Sequence, residues 1–201
     1  MIRSRRRRTL EVASKNSSVG RAAVMSGMRT WAVVTAAAVL VVQVVDLAAR
    51  LLVDPGWIFV FLFVFGAPVW LMCIAASGWM ARGMFSATSS FAAAGAVGRS
   101  VVLALLWVYL VGLTVFCWFM SDGGDADDWQ SPAGRLLGVD GYNSRTPEYL
   151  NIAQSIAVPA MSIGLLALLV ASIVYASLGS RVAAPARPTT RVTGTDPIDP
   201  V

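Results

Sequence analysis

Three polar residues, Gln43, Asp46 and Arg50, sit in the second half of an apolar stretch, Thr30–Val53, long enough to cross a bilayer. Their spacing of i, i+3, i+7 puts them on one face of a helix. Asp at the centre of a spanning helix costs about 2.5–3.5 kcal/mol on insertion scales, so something must compensate it. Arg50 follows Asp46 by four residues, the favourable order for an ion pair on a helix. Asp46 also lies roughly 12 Å, at 1.5 Å per residue, below the boundary marked by Asp54. A comparable depth in the last apolar stretch is reached near Ser155 and Pro159. The expected arrangement is Asp46 paired with Arg50 and touching Ser155, a polar clamp between the first and fourth helices. The chemically active alternative makes Asp46 a proton- or cation-coupling carboxylate, because ionisable residues inside a membrane are candidates for function.

The remaining chemistry is sparse. The chain has no His, which removes imidazole proton relays, His-held zinc or haem and Ser-His-Asp hydrolysis. Cys73 and Cys117 lie in separate apolar runs, too far apart for a C-x-x-C redox motif, and read as small buried hydrophobes. The acidic run Asp122, Asp125, Asp127 and Asp128 lacks the glycine and distant glutamate of an EF-hand loop. It reads as a solvated outer loop, with a weak cation or basic-partner surface as the alternative. No metal site, cofactor or catalytic set is expected.

The elements that must position Asp46 and Arg50 are membrane helices. The chain is 57% hydrophobic and 13% charged, against about 45–50% and 25% in ordinary soluble domains. Four apolar stretches span 30–53, 57–79, 101–120 and 152–178, and each exceeds or meets the roughly 20 residues a spanning helix needs. Backbone groups in lipid must be satisfied within the segment, which makes these stretches helical. The fold class expected is an all-α membrane protein, four transmembrane helices in an antiparallel bundle.

Basic residues set the orientation. Residues 1–29 form a basic tail with eight Lys and Arg; Arg82 and Arg99 lie in the second connection and Arg181, Arg187 and Arg191 in the last segment. Only Arg135 and Arg145, with Arg50 near a helix end, fall on the other side. That asymmetry places both termini in the cytoplasm, in a multi-pass inner-membrane topology. Trp31, Trp57, Trp79 and Trp118 then fall at the membrane borders as an aromatic belt. The net charge of +5 is therefore a topology signal rather than a sign of nucleic-acid binding. Asp54-Pro55-Gly56 makes a tight outer turn, 121–151 is an outer loop, and the Pro-rich segment 179–201 is expected to be disordered. One Lys against fifteen Arg fits a high-GC genome, of actinobacterial or phage origin.

The last helix carries a packing signal. Ala153, Ala157, Ala160, Gly164, Ala167 and Ala171 recur at alternating spacings of four and three, a stripe of small side chains down one face. In lipid, close backbone approach over such residues is what draws helices together. The stripe predicts a seam, either within the chain or against a partner. With no catalytic set, the leading functional expectation is a non-enzymatic membrane protein. It would bind another membrane protein, or itself, as an accessory subunit or a phage exclusion or immunity factor. The alternative is a small pore, holin-like protein or ion-coupled transporter using Asp46.

Overall fold

The computed structural model describes residues 2–53, 56–123, 129–139 and 146–183, with side chains left out of account at 2–25, 58, 63, 123, 129–130 and 180–183. The chain is almost wholly helical. Four long helices, α1 (Ile2–Val53), α2 (Trp57–Phe85), α4 (Ala96–Phe119) and α6 (Glu148–Ala183), alternate with two short ones, α3 (Ser90–Ala93) and α5 (Pro132–Leu136). A two-residue antiparallel ladder joins β1 (Asp122–Gly123) to β2 (Trp129–Gln130). Within the long helices, Ser26–Val53, Val64–Phe85, Ala96–Phe119 and Glu148–Gly179 are long and apolar enough to cross a membrane, with mean hydropathies of 2.2, 1.6, 2.4 and 2.4. This is what a multi-pass membrane protein requires.

The helices outrun the apolar stretches. The basic segment ahead of Thr30 continues α1 without a break, so that helix is 52 residues long. The segment lacks proline, the strongest helix breaker, and is rich in Arg, a good helix former. Likewise α2 runs past Trp79 to Phe85, since Met80, Ala81 and Met84 are buried and hold its last turns against the rest of the chain. Ser89 caps α3 by accepting from the amide of Ala92 at 3.1 Å, and Ser131 caps α5 by accepting from that of Gly134 at 3.1 Å. Both α2 and α6 remain helical through Pro68 and Pro159.

Packing centres on α4, whose Val102, Leu103, Leu106, Tyr109, Leu110, Leu113 and Phe116 are all buried. Contacting residues rise in number together along α1 and α4, as Thr35 meets Trp107 and Asp46 meets Thr114. Along α6 they run the opposite way, as Ala160 and Gly164 meet Gly112, and Leu178 meets Gly98. The stripe of small residues on α6 therefore lies against α4. Ala157, Gly164, Ala167 and Ala171 are buried there, with Ala153 and Ala160 partly so. A side chain at Gly112 would overlap the Ala160 carbonyl, and a Cβ at Gly164 would come within 3.3 Å of the Tyr109 carbonyl. The backbones meet over glycine, which maximises dispersion contact where no hydrophobic drive acts between helices. The expected pairing of the first and fourth spans is corrected: α1 packs on α2 and α4, and α6 on α4.

Candidate functional site

The polar residues of α1 face α4 and make a ladder of hydrogen bonds along it. At the end nearer the chain start, Trp107 donates its indole N–H to the Thr35 hydroxyl at 3.1 Å, and Trp31 stacks on Trp107 with ring centres 5.9 Å apart. One step on, the Gln43 amide donates to the Val39 carbonyl at 2.6 Å and to the Ser77 hydroxyl of α2 at 3.0 Å, and accepts from the Tyr109 hydroxyl at 3.1 Å. Further along, Asp46 accepts from the Thr114 hydroxyl at 2.7 Å and from the Trp118 indole N–H at 3.0 Å. Each carboxylate oxygen thus has a donor, in a side chain only 4% exposed. Hydrogen bonds between membrane helices contribute on average about 0.6 kcal/mol each, so the ladder fixes register more than it supplies stability.

Arg50 ends the ladder in a second, tighter structure. Its Nη1 donates to the Met120 carbonyl at 2.9 Å and its Nη2 lies 3.5 Å from Oδ2 of Asp122, with both side chains wholly buried. The guanidinium also sits over the Phe59 ring, 5.2 Å from its centre. Met120 follows the last residue of α4, so Arg50 occupies a carbonyl that the helix leaves without an internal partner. Asp122 in turn accepts from the backbone N–H of Phe59, the third residue of α2. The residue at the N-cap of α2 is Gly56, which has no side chain to cap with, and a Cβ there would overlap the Asp122 carboxyl. Asp122 therefore caps α2 from a distant part of the chain, and its charge faces the positive end of that helix. One ion pair ties the end of α1 to the end of α4 and the start of α2. Beside it, Arg135 donates to the Val53 carbonyl at 3.1 Å and caps the end of α1, while Gln154 of α6 donates to Ser121.

Three sequence expectations are corrected here. Asp46 and Arg50 take different partners rather than each other, because Arg50 extends toward the helix end, where Met120 and Asp122 lie, and Asp46 turns sideways onto α4. Ser155 is no part of the cluster: it is exposed and donates to the Ile152 carbonyl of its own helix at 2.7 Å. Asp122 also departs from the solvated acidic loop, being 1% exposed and paired. Asp125, Asp127 and Asp128 lie outside the described residues, as do Asp54, Pro55 and 184–201. Cys73 and Cys117 are buried and free, and no group of three or more metal-ligating side chains occurs among the described residues.

Sequence reasoning missed the α4 side of the ladder, although a signal was present. Trp107, Thr114 and Trp118 fall at i, i+7 and i+11, one face of a helix. Trp118, expected at a membrane border, is bonded to Asp46. No protein-family model, curated protein or solved structure matches the chain.

Proposed function

We propose that the chain is a non-enzymatic protein of the cytoplasmic membrane, an antiparallel four-helix bundle with both termini inside. It acts by binding another membrane protein as an accessory subunit or a phage exclusion or immunity factor. The observation that carries this reading is a row of exposed aromatic side chains on α2. Asp46 and Arg50 of α1 are taken up within the chain, and α2 leaves Trp57, Phe61 and Phe65 exposed. Trp57, Phe61 and Phe65, at successive intervals of four, line one side of α2 with ring centres 6.3 and 6.1 Å apart, the first pair tilted and the second stacked. Phe65 is 77% exposed. Pre-stacked aromatic rings make a stiff apolar ridge, and aromatic side chains dominate the energetics of interfaces. The basic asymmetry between the two ends supports the orientation.

A photo-cross-linking residue at Phe65, activated in host membranes, tests this. The expected product is a discrete protein adduct, lost when Trp57 and Phe61 are replaced by Ala in the same labelled chain while the monomer still folds. Adducts to lipid alone in every host membrane would contradict the reading.

The polar ladder favours a second reading, in which Asp46 carries protons or cations between α1 and α4. Asp46→Asn separates the two. The Thr114 hydroxyl can turn to accept from the amide, so D46N is expected to fold, and proton flux into liposomes holding D46N should equal that of the wild type. Flux present in the wild type and absent in D46N would establish the transport reading instead.

A further inference from the structure

At the end of the helices opposite Asp122, a cavity of about 340 Å³ opens between the start of the α1 span, the last turn of α2, α3 and the first turn of α4. Its floor is apolar, made by Ala32, Met84 and Phe91, each no more than 5% exposed. Its charged lining is Arg29 of α1 and Arg99 of α4, with no carboxylate among the residues that line it. Among the described residues neither arginine has an acidic partner. The Nε of Arg99 is buried without a hydrogen-bond partner. A buried cationic donor left unpaired costs more than an ordinary lost hydrogen bond, so an anion from outside the chain would relieve it.

We infer that this cavity binds a phosphate group, with Arg29 and Arg99 as its ligands and an anionic lipid headgroup as its source. Guanidinium groups match the planar, two-oxygen face of a phosphate better than any other side chain. The placement favours lipid. Arg29 stands four residues into the span Ser26–Val53, and Arg99 lies in the first turn of Ala96–Phe119, so both are at the level of headgroups. The apolar floor suits the glycerol and upper acyl part of such a lipid. The site rests on membrane insertion of the four helices and is independent of partner binding through α2.

The test is native mass spectrometry of the full chain in mild detergent, titrated with phosphatidylglycerol, phosphatidylcholine or inorganic phosphate. Phosphatidylglycerol adducts are expected to form in preference to phosphatidylcholine adducts and to weaken about tenfold in R29Q and further in R29Q/R99Q, as loss of charge-assisted hydrogen bonds implies. Arg29 is exposed, so R29Q leaves the core untouched, and R82Q, which alters an arginine outside the cavity, is expected to bind as the wild type does. Displacement of the lipid by millimolar inorganic phosphate, with the same dependence on Arg29, supports the phosphate site and assigns it to a soluble anion. Equal retention of phosphatidylglycerol by wild type, R29Q and R29Q/R99Q overturns the inference.

Discussion

Asp122→Ala is expected to destabilise the protein by about 3–5 kcal/mol, the cost of leaving one member of a buried ion pair alone. The loss has three physical sources. Arg50, with its side chain fully buried, keeps its charge but loses its counter-ion. The amide of Phe59 loses its acceptor, and α2 loses the side chain that caps its start, since Gly56 offers none. Helix caps of this kind are worth about 1 kcal/mol, so the ion pair is the larger part. Asp122→Asn separates the two, because a neutral amide oxygen can still accept from Phe59 but cannot balance Arg50. Unfolding in mild detergent should rank the variants wild type, D122N, D122A in falling stability. Gly56→Ala should resemble D122A without touching a charge, since the added methyl displaces the carboxyl.

Gly112→Leu is expected to cost about 3 kcal/mol, the upper part of the usual range for an overfilled site. The obstacle at Gly112 is the backbone carbonyl of Ala160, which cannot swing aside as a side-chain tip could. The helices must separate, and every contact along the seam from Ala157 to Ala171 weakens with them. Gly112→Ala should fall in between, because alanine regains about 1 kcal/mol of helix propensity over glycine while still forcing the carbonyl. Gly78 of α2 is the control: nothing stands within 4 Å of a Cβ there, and G78A should be neutral or slightly stabilising. The same unfolding measurement reads all three.

The helices were legible because lipid imposes long apolar runs, and each expected run lies mostly inside an observed helix. Their ends were not legible from hydropathy, since a helix need not stop at the membrane border. Met80, Ala81 and Met84 continue α2 for reasons of packing that no hydropathy window registers. The stripe from Ala153 to Ala171 was legible as a seam, but its partner was not, because Gly112 has only large residues, Val108, Tyr109, Val115 and Phe116, at helical spacing on either side. The site was legible by half. The spacing of Gln43, Asp46 and Arg50 puts them on one face of α1, and Gln43 and Asp46 bond to Tyr109 and Thr114 of α4. The partner of Arg50 was hidden, because Asp122 opens a run of acids that looks uniformly solvated. The closure of the chain above α4, with Ser121 held by Gln154 and Arg135 on Val53, buries Asp122. The nearer acid, Asp46, satisfied every local rule for pairing with Arg50 and was outcompeted by donors on another helix.

The account holds that Arg50 and Asp122 are a structural clamp joining the ends of α1, α4 and α2. A double-mutant cycle with R50L, D122L and R50L/D122L, read by unfolding in detergent, tests it most directly. The clamp predicts two strongly destabilised single variants and a double variant much less destabilised than their sum, because removing both charges leaves neither buried alone. A coupling of about 3 kcal/mol is the expected size. Single variants that unfold like the wild type, or a double variant whose loss is the plain sum of the two, would contradict the clamp.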